Sequence, residues 1–337
     1  MRVDARLDPG PEAAAQAAEL EAAGYDGLWV REARHDPFVS LALACPATSR
    51  ARLGTGVAIA FARTPMSLAY AANDLMLASG GRFVLGLGSQ VRAHVERRFS
   101  MPWSHPADRM GEFVTAMRAI WHAWDTGERL RFEGEFYRHT LMPPAFAPDR
   151  NPYGQPPVFL AAVGTRMART AGRVADGLLV HAFSTPRYLG QTTLPAFEEG
   201  LAAAGRSRAD AAVSMPVFVA TGETEEEFAA ATAELRRQVA FYGSTPAYRA
   251  VLDLHGWGAL ADALHELSRR DDPRRWEWMA ELVDDTVLAE FVVSGAPEEA
   301  GREVARRYAG LVDRLSLYTA SGTGPATLAR VTSGIRG

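Results

Sequence analysis

Residues 80–89 read Gly80-Gly81-Arg82-Phe83-Val84-Leu85-Gly86-Leu87-Gly88-Ser89: a paired glycine stop, an apolar run and a glycine-rich exit. Within the strand 82–87, the run 83–87 is apolar on both faces, as a strand buried inside a parallel sheet is. Upstream, Thr64-Pro65 opens a helix with an N-cap threonine and a proline at its first position, and Gly80-Gly81 ends it. Downstream, a long helix is predicted over 106–124. The unit is therefore one strand followed by one helix.

That unit repeats. Strands are predicted at 3–7, 26–30, 52–61, 82–87, 157–162, 176–181, 213–220 and 312–318. Helices are predicted at 11–23 (stopped by Gly24), 37–48, 64–79, 106–124, 165–174, from Thr185-Pro186 onward, from Thr224 onward, at 276–283 and at 297–308. Thr224-Glu225-Glu226-Glu227 has the form of a capping box. Two stretches interrupt the rhythm: 128–153, which reads as a hairpin excursion, and 243–273, which reads as irregular. Alternating strands and helices imply a parallel sheet, and eight units in 337 residues fit a closed α/β TIM barrel, (β/α)8, better than an open doubly wound sheet. The expectation is a single barrel domain over 1–337, with insertions at the C-terminal mouth over about 128–156 and 243–285.

Composition excludes several classes of function. The charged fraction of 23% and apolar fraction of 47% are those of an ordinary globular chain. Acids outnumber bases 40 to 36, so no broad basic field exists to attract nucleic acid. Every base is arginine, which removes a lysine Schiff base and a P-loop lysine from consideration. Cys45 is the sole cysteine, so no intrachain disulfide forms and a reducing, cytoplasmic setting is expected. No apolar run reaches the ~18 residues of a membrane helix, and the N-terminus lacks a signal-peptide core. The histidines show no metal-ligand spacing, so no metal is expected. Gly86-Leu87-Gly88 lacks the third glycine of a dinucleotide fingerprint and sits in the fourth unit, not the first.

In a parallel barrel, chemistry collects at the C-terminal ends of strands. Those ends hold Glu32 and His35, Gly56-Val57, Gly88-Ser89-Gln90 with His94, Val163-Gly164-Thr165, and His181. A glycine at a strand-to-helix turn lets main-chain amides approach an anion, so Gly164-Thr165 is either a phosphate-holding turn or a plain N-cap. Gly56 inside a β run marks either a bulge facing a ligand or close packing. His35 and His181 are either site residues or structural histidines. Arg92, Arg97 and Arg98 are either contacts for an acidic tail or a solvated helix face. Trp103, Trp121 and Trp124 read as packing.

Leu53-Gly54-Thr55-Gly56-Val57, the 80–89 stretch, Ala161-Ala162-Val163-Gly164 and Ala175-Asp176-Gly177 together resemble the bacterial luciferase-like monooxygenase superfamily, and within it the deazaflavin-dependent oxidoreductases that use coenzyme F420. The resemblance runs from about residue 2 to 320. It implies a (β/α)8 barrel with a flavin or deazaflavin ring in its mouth. Gly56, Val57 and Ala58 match the strand-three bulge, where relatives carry a non-proline cis peptide behind the ring. Gly88, Ser89, Gln90 and His94 match cofactor contacts after strand four. Ala162, Val163, Gly164 and Thr165 match the phosphate turn, and His181 a position beside the ring or its tail. Glu32 matches an acid near the ring. Many relatives place a histidine directly after that acid; here Ala33 stands there and His35 follows two residues later. Relatives that oxidise sugar phosphates carry a glutamate where this chain has Val91.

The function expected from this resemblance is F420-dependent hydride transfer between the deazaflavin C5 and a small organic substrate, with His35 or Glu32 handling the accompanying proton. Two alternatives stand beside it: an FMN-dependent monooxygenase on the same fold, and a flavin- or deazaflavin-binding protein without turnover. The expected partners are a small-molecule substrate and a second copy in a homodimer, with neither nucleic acid nor membrane.

Overall fold

The structure, a computed structural model, describes residues 1–337. The chain is a (β/α)8 barrel built on eight parallel strands. They are β1 (Arg2–Arg6), β2 (Gly27–Val30), β3 (Arg52–Thr55), β4 (Phe83–Gly88), β5 (Val158–Ala162), β6 (Gly177–Val180), β7 (Ala212–Ala220) and β8 (Arg314–Thr319). By its internal contacts the chain divides into two units, Asp4–Leu179 with Ala196–Ala212, and Met1–Val3 with Val180–Pro195 and Val213–Gly337. No helix is long and apolar enough to cross a membrane.

In the larger unit, β2 pairs with β1 in the register Leu28 to Ala5, β3 with β2 in the register Leu53 to Leu28, and β5 with β4 in the register Phe159 to Gly86. Leu28, Val30, Leu53, Leu85, Leu87 and Leu160 are completely buried, as strands covered on both faces require. The helix Pro65–Ala78 starts and stops on the expected residues. Thr64 Oγ1 accepts from the Ser67 amide at 3.1 Å, and Gly80 and Gly81 follow with φ of 63° and 87°, which side chains disfavour.

The strand expected to run unbroken over 52–61 is divided. It leaves the ladder after Thr55, resumes as the two-residue strand Ala58–Ile59 beside β4, and ends in the 3-10 turn Ala60–Ala62. The main chain is tightly packed just before the division. A methyl group at Gly86 would collide with the Thr55 carbonyl, and one at Gly54 would lie 2.5 Å from Trp29 Cζ3. The backbones are pressed together here, and the Thr55 hydroxyl fills the ladder by accepting from the Gly86 amide at 2.9 Å and donating to its carbonyl at 2.6 Å.

The first excursion contains the expected hairpin, Phe132–Glu133 against Arg138–His139. It leaves from the C-terminal end of the helix Pro106–Thr126, not from a strand end, and its tip folds back along that helix. The Glu112 carboxylate accepts from the amides of Glu135, Phe136 and Tyr137 at 2.9, 2.7 and 2.6 Å, and Arg109 Nε donates to the Tyr137 hydroxyl at 2.8 Å.

In the smaller unit, β8 pairs with β7 in the register Leu317 to Val217. The stretch expected to be irregular at 243–273 is helical over Arg249–Leu254 and Gly258–Ser268, and the helix expected at 276–283 occupies Arg275–Glu281. A three-residue strand, Val292–Ser294, then pairs in parallel with Phe218–Ala220 at the end of β7. The chain thus returns to the strand end it left, and the whole of 221–291 is the insertion. The barrel helix that serves β7 is Pro297–Tyr308. It packs against a terminal helix, Pro325–Arg336, that the strand-by-strand reading did not extend to. Methyl groups at Gly301 or Gly334 would strike the facing backbone, so the two helices touch main chain to main chain. The Thr224 cap forms half of its expected box. Thr224 Oγ1 accepts from the Glu227 amide at 3.2 Å, and the Glu227 carboxylate reaches the amide of Glu223 instead of closing on Thr224. Phe183, Phe218, Leu235, Leu252, Met279 and Phe291 form this unit's apolar core.

Candidate active site

The break in β3 gives the site its floor. The Gly56–Val57 peptide is cis. Gly56 donates its amide to the Val30 carbonyl at 2.7 Å, and the Val57 carbonyl accepts from the Glu32 amide at 3.2 Å, so the ends of β2 and β3 are tied across the turn. Ile59 then registers against Gly88, carrying the tie to β4. Gly56 is exposed, Val57 is half-buried and Ala58 is fully buried, which leaves a face of main chain open to solvent.

Glu32 holds this floor from below. One carboxylate oxygen accepts from the Ile59 amide at 2.8 Å and from Arg63 at 2.7 Å. Only 6% of the Glu32 side chain is exposed. Arg63 also reaches Asp36 at 2.7 Å and the Phe38 ring at 5.4 Å. Burial works against the Arg63 charge, but the two carboxylates outweigh it and push its pKa above the usual arginine value. Glu32 is thus a fixed, charge-compensated acid. Arg63 and Asp36 were not singled out in the sequence. The available signal was an arginine closing the apolar run Ala58-Ile59-Ala60-Phe61-Ala62, just before the Thr64-Pro65 helix start.

After β4, Ser89 and Gln90 are half-buried, and Gln90 takes φ of 61° with its own side-chain carbonyl accepting from the Val91 amide at 2.9 Å. The short helix Arg92–Arg97 follows, with His94 exposed on it. Of the three arginines, Arg92 pairs with Glu96 at 2.9 Å and Arg98 donates to the Ala33 carbonyl at 2.9 Å, joining the loops after β2 and β4. Arg97 is exposed with no partner. His35 is likewise exposed, and its ring makes no hydrogen bond within the protein.

After β5, Ala162 is buried, Val163 half-buried, and Gly164 and Thr165 exposed. Gly164 caps the helix Thr165–Val174 without any side-chain hydrogen bond, and a Cβ added there meets nothing within 4 Å. The first turn carries no acidic residue, so its amides face open space uncompensated.

The larger unit therefore brings Glu32, Gly56, Val57, Ala58 and Gly88 into one hydrogen-bonded constellation, with Ser89, Gln90, His94 and Ala162–Thr165 at the ends of the next strands. No bond ties His35 or His94 into it. His181 belongs to the smaller unit. Its Nδ1 accepts from the Phe183 amide at 3.0 Å, it stacks on Tyr248 at 4.6 Å between centroids, and it meets Tyr242 edge-on at 4.7 Å. Burial lowers its pKa to about 4.

Residues 2–314 match the family model of the luciferase-like monooxygenases. An uncharacterised protein of Mycobacterium tuberculosis is 52% identical over 303 residues, covering 90% of this chain and 88% of that one. The F420-dependent glucose-6-phosphate dehydrogenase of Nakamurella multipartita is 29% identical over 277 residues, 82% of this chain and 73% of that one. Among solved structures, the coenzyme F420-dependent tetrahydromethanopterin reductase of Methanopyrus kandleri shares the fold with a TM-score of 0.78 at 20% identity, over 98% of this chain and 96% of that one. With 313 of its 337 residues spanned by the family model, the chain belongs to the luciferase-like monooxygenase family.

Proposed function

We propose that the chain is an F420-dependent oxidoreductase, a single barrel domain over 1–337 that passes a hydride between the deazaflavin C5 and a small organic substrate. The observation that carries this reading is the pairing of an open stretch of main chain at Gly56–Val57 with an uncapped, acid-free helix N-terminus at Gly164. A flat ring needs the first and an anionic tail needs the second. The relatives support deazaflavin in preference to flavin.

The residues present fit such a cofactor. Gly56, Val57 and Ala58 would back the ring, Gly88, Ser89, Gln90 and His94 would line its edge, and Ala162, Val163, Gly164 and Thr165 would hold the phosphate through main-chain amides. When bound, the deazaflavin supplies two-electron hydride chemistry at C5. Glu32, already spent on Arg63 and Ile59, keeps the floor in place. His35, exposed with both ring nitrogens free, gives or takes the proton that accompanies the hydride. Val91, in the place of an acid found in sugar-phosphate oxidising relatives, argues against a sugar phosphate as substrate.

Absorbance titration of the purified protein with F420 and with FMN tests the reading. Binding of F420 in preference to FMN is expected. Micromolar binding of FMN with none of F420, together with oxygen consumption dependent on reduced FMN, overturns it in favour of a flavin monooxygenase.

A further inference from the structure

The segment that leads from the first excursion into β5 is tied down by two asparagine side chains, and one donor between them is left over. We propose that Asn73, together with the carboxylate of Asp125, holds one internal water molecule that pins residues 149–156 to the helices Pro65–Ala78 and Pro106–Thr126. Asn73 lies on the first helix and Asp125 on the second. The site is independent of the function proposed above.

A main-chain donor settles which way both amides face. The Tyr153 amide donates to Asn151 Oδ1 at 3.0 Å, so the other end of that side chain is its NH2 group. Asn151 Nδ2 in turn donates to Asn73 Oδ1 at 2.9 Å and to the Asn73 carbonyl at 3.3 Å. Asn73 Oδ1 is therefore the acceptor facing Asn151, and Nδ2 is turned away from it. That nitrogen is buried and has no hydrogen-bond partner in the protein. Asn73 is 4% exposed and Asn151 5%, so bulk water does not serve them. An enclosed amide donor is costly unless some group accepts from it.

The two asparagines line a cavity of about 10 Å³, room for a single water molecule. Trp121 and Trp124 wall it, and Asp125 and Asp149 bring carboxylates to it. The indoles offer no donor, because Trp121 Nε1 donates to the Ala69 carbonyl at 3.1 Å and Trp124 Nε1 points to Met142 Sδ at 3.5 Å. Gln155 Nε2 donates to Asp125 Oδ2 at 3.1 Å, which leaves Asp125 Oδ1 unspent. This donor set selects the occupant. A cation would meet the NH2 group of Asn73 with its positive end inward. An anion would meet Asp125 and Asp149. Water satisfies both sides, accepting from Asn73 Nδ2 and donating to Asp125.

The test is a high-resolution crystal structure of the full chain grown in rubidium bromide, in which a bound cation or anion gives an anomalous signal and water gives none. The proposal expects one density peak, without anomalous signal, within hydrogen-bond distance of both Asn73 Nδ2 and the Asp125 carboxylate. A rubidium or bromide peak at that position, or no peak, overturns it. Asn73→Asp tests the same point in solution. It keeps the acceptor for Asn151 and replaces the donor with a charge near two other carboxylates. Its melting temperature should fall at least about 2 °C below wild type at neutral pH. The deficit should close as pH drops toward about 4, where the new carboxyl is protonated and donates again. An Asn73→Asp protein as stable as wild type at neutral pH, or a deficit that persists unchanged in acid, overturns the proposal. Should the variant fail to fold, the crystal structure decides alone.

Discussion

Thr55 and Gly86 exchange two hydrogen bonds through a single hydroxyl, which accepts from the Gly86 amide at 2.9 Å and donates to its carbonyl at 2.6 Å. Thr55 is fully buried, so one side chain does the work of a rung of the sheet where β3 turns away to make the floor. Thr55→Val keeps the shape and strands both main-chain groups. The expected loss is at least one buried-group penalty, about 1–3 kcal/mol, read from urea unfolding. Thr55→Ser should retain most of the stability. A Thr55→Val protein as stable as wild type would show that the ladder closes without the hydroxyl.

Glu32 and Arg63 are 31 residues apart and share a bond of 2.7 Å. Glu32→Gln leaves Arg63 with Asp36 alone and should cost about 2–3 kcal/mol, less than the ~3–5 kcal/mol of a fully buried pair because one carboxylate remains. A double-mutant cycle with Arg63→Met should give a coupling of at least about 1 kcal/mol. Additive losses would mean that the two residues act separately.

How far each feature could be read from the sequence follows from the range of the interaction that fixes it. The helices Thr165–Val174 and Pro297–Tyr308 begin and end on the expected residues, because proline, glycine and cap residues act on their own neighbours. The break in β3 was not legible, since Arg52–Phe61 is an unbroken β-like run and the contacts around the break come from Gly86 and Trp29 on other strands. The extent of the 221–291 insertion was hidden for a related reason. Its helix Glu225–Gly243 looks like any barrel helix, and only the pairing of Val292–Ser294 with Phe218–Ala220 shows that the strand end is revisited. In the site, glycines and strand-end residues were visible by position. The Glu32–Arg63–Asp36 network was not, because ion pairs between distant segments leave no spacing in the sequence.

Glu21 gives the chain a specific response to acid. Burial opposes its charge, but the amides of Ala51, Arg50 and Ser49 and the Ser49 hydroxyl outweigh it and lower its pKa to about 2 from an ordinary 4.5. A carboxylate with a depressed folded pKa stabilises fully above the unfolded value and loses that contribution as pH falls toward the folded one. The stability advantage of wild type over Glu21→Gln should therefore be constant above about pH 5.5, shrink from about pH 4.5 and be gone near pH 2. Denaturant midpoints across that range check it. A difference independent of pH would assign the effect to packing.

Gly164→Asp should move stability and cofactor binding in opposite directions. The backbone at Gly164 is extended, φ −100° and ψ 160°, and nothing crowds its side-chain position. Aspartate is a good N-cap, so the helix Thr165–Val174 should gain a few tenths of a kilocalorie per mole in thermal or urea unfolding. Its carboxylate would occupy the amides that an anionic tail needs, and F420 binding should weaken by about tenfold or more. A parallel loss of stability and binding would point to misfolding of the turn.

The grip on the anionic tail is tested most directly by fluorescence titration of wild type and Gly164→Asp with F420 and with the bare deazaflavin chromophore lacking phosphate and glutamates. The account predicts that wild type binds F420 at least about tenfold tighter than the bare chromophore, and that Gly164→Asp erases this difference while leaving chromophore binding intact. Equal affinity of wild type for the two, or a tail preference that survives Gly164→Asp, would contradict it.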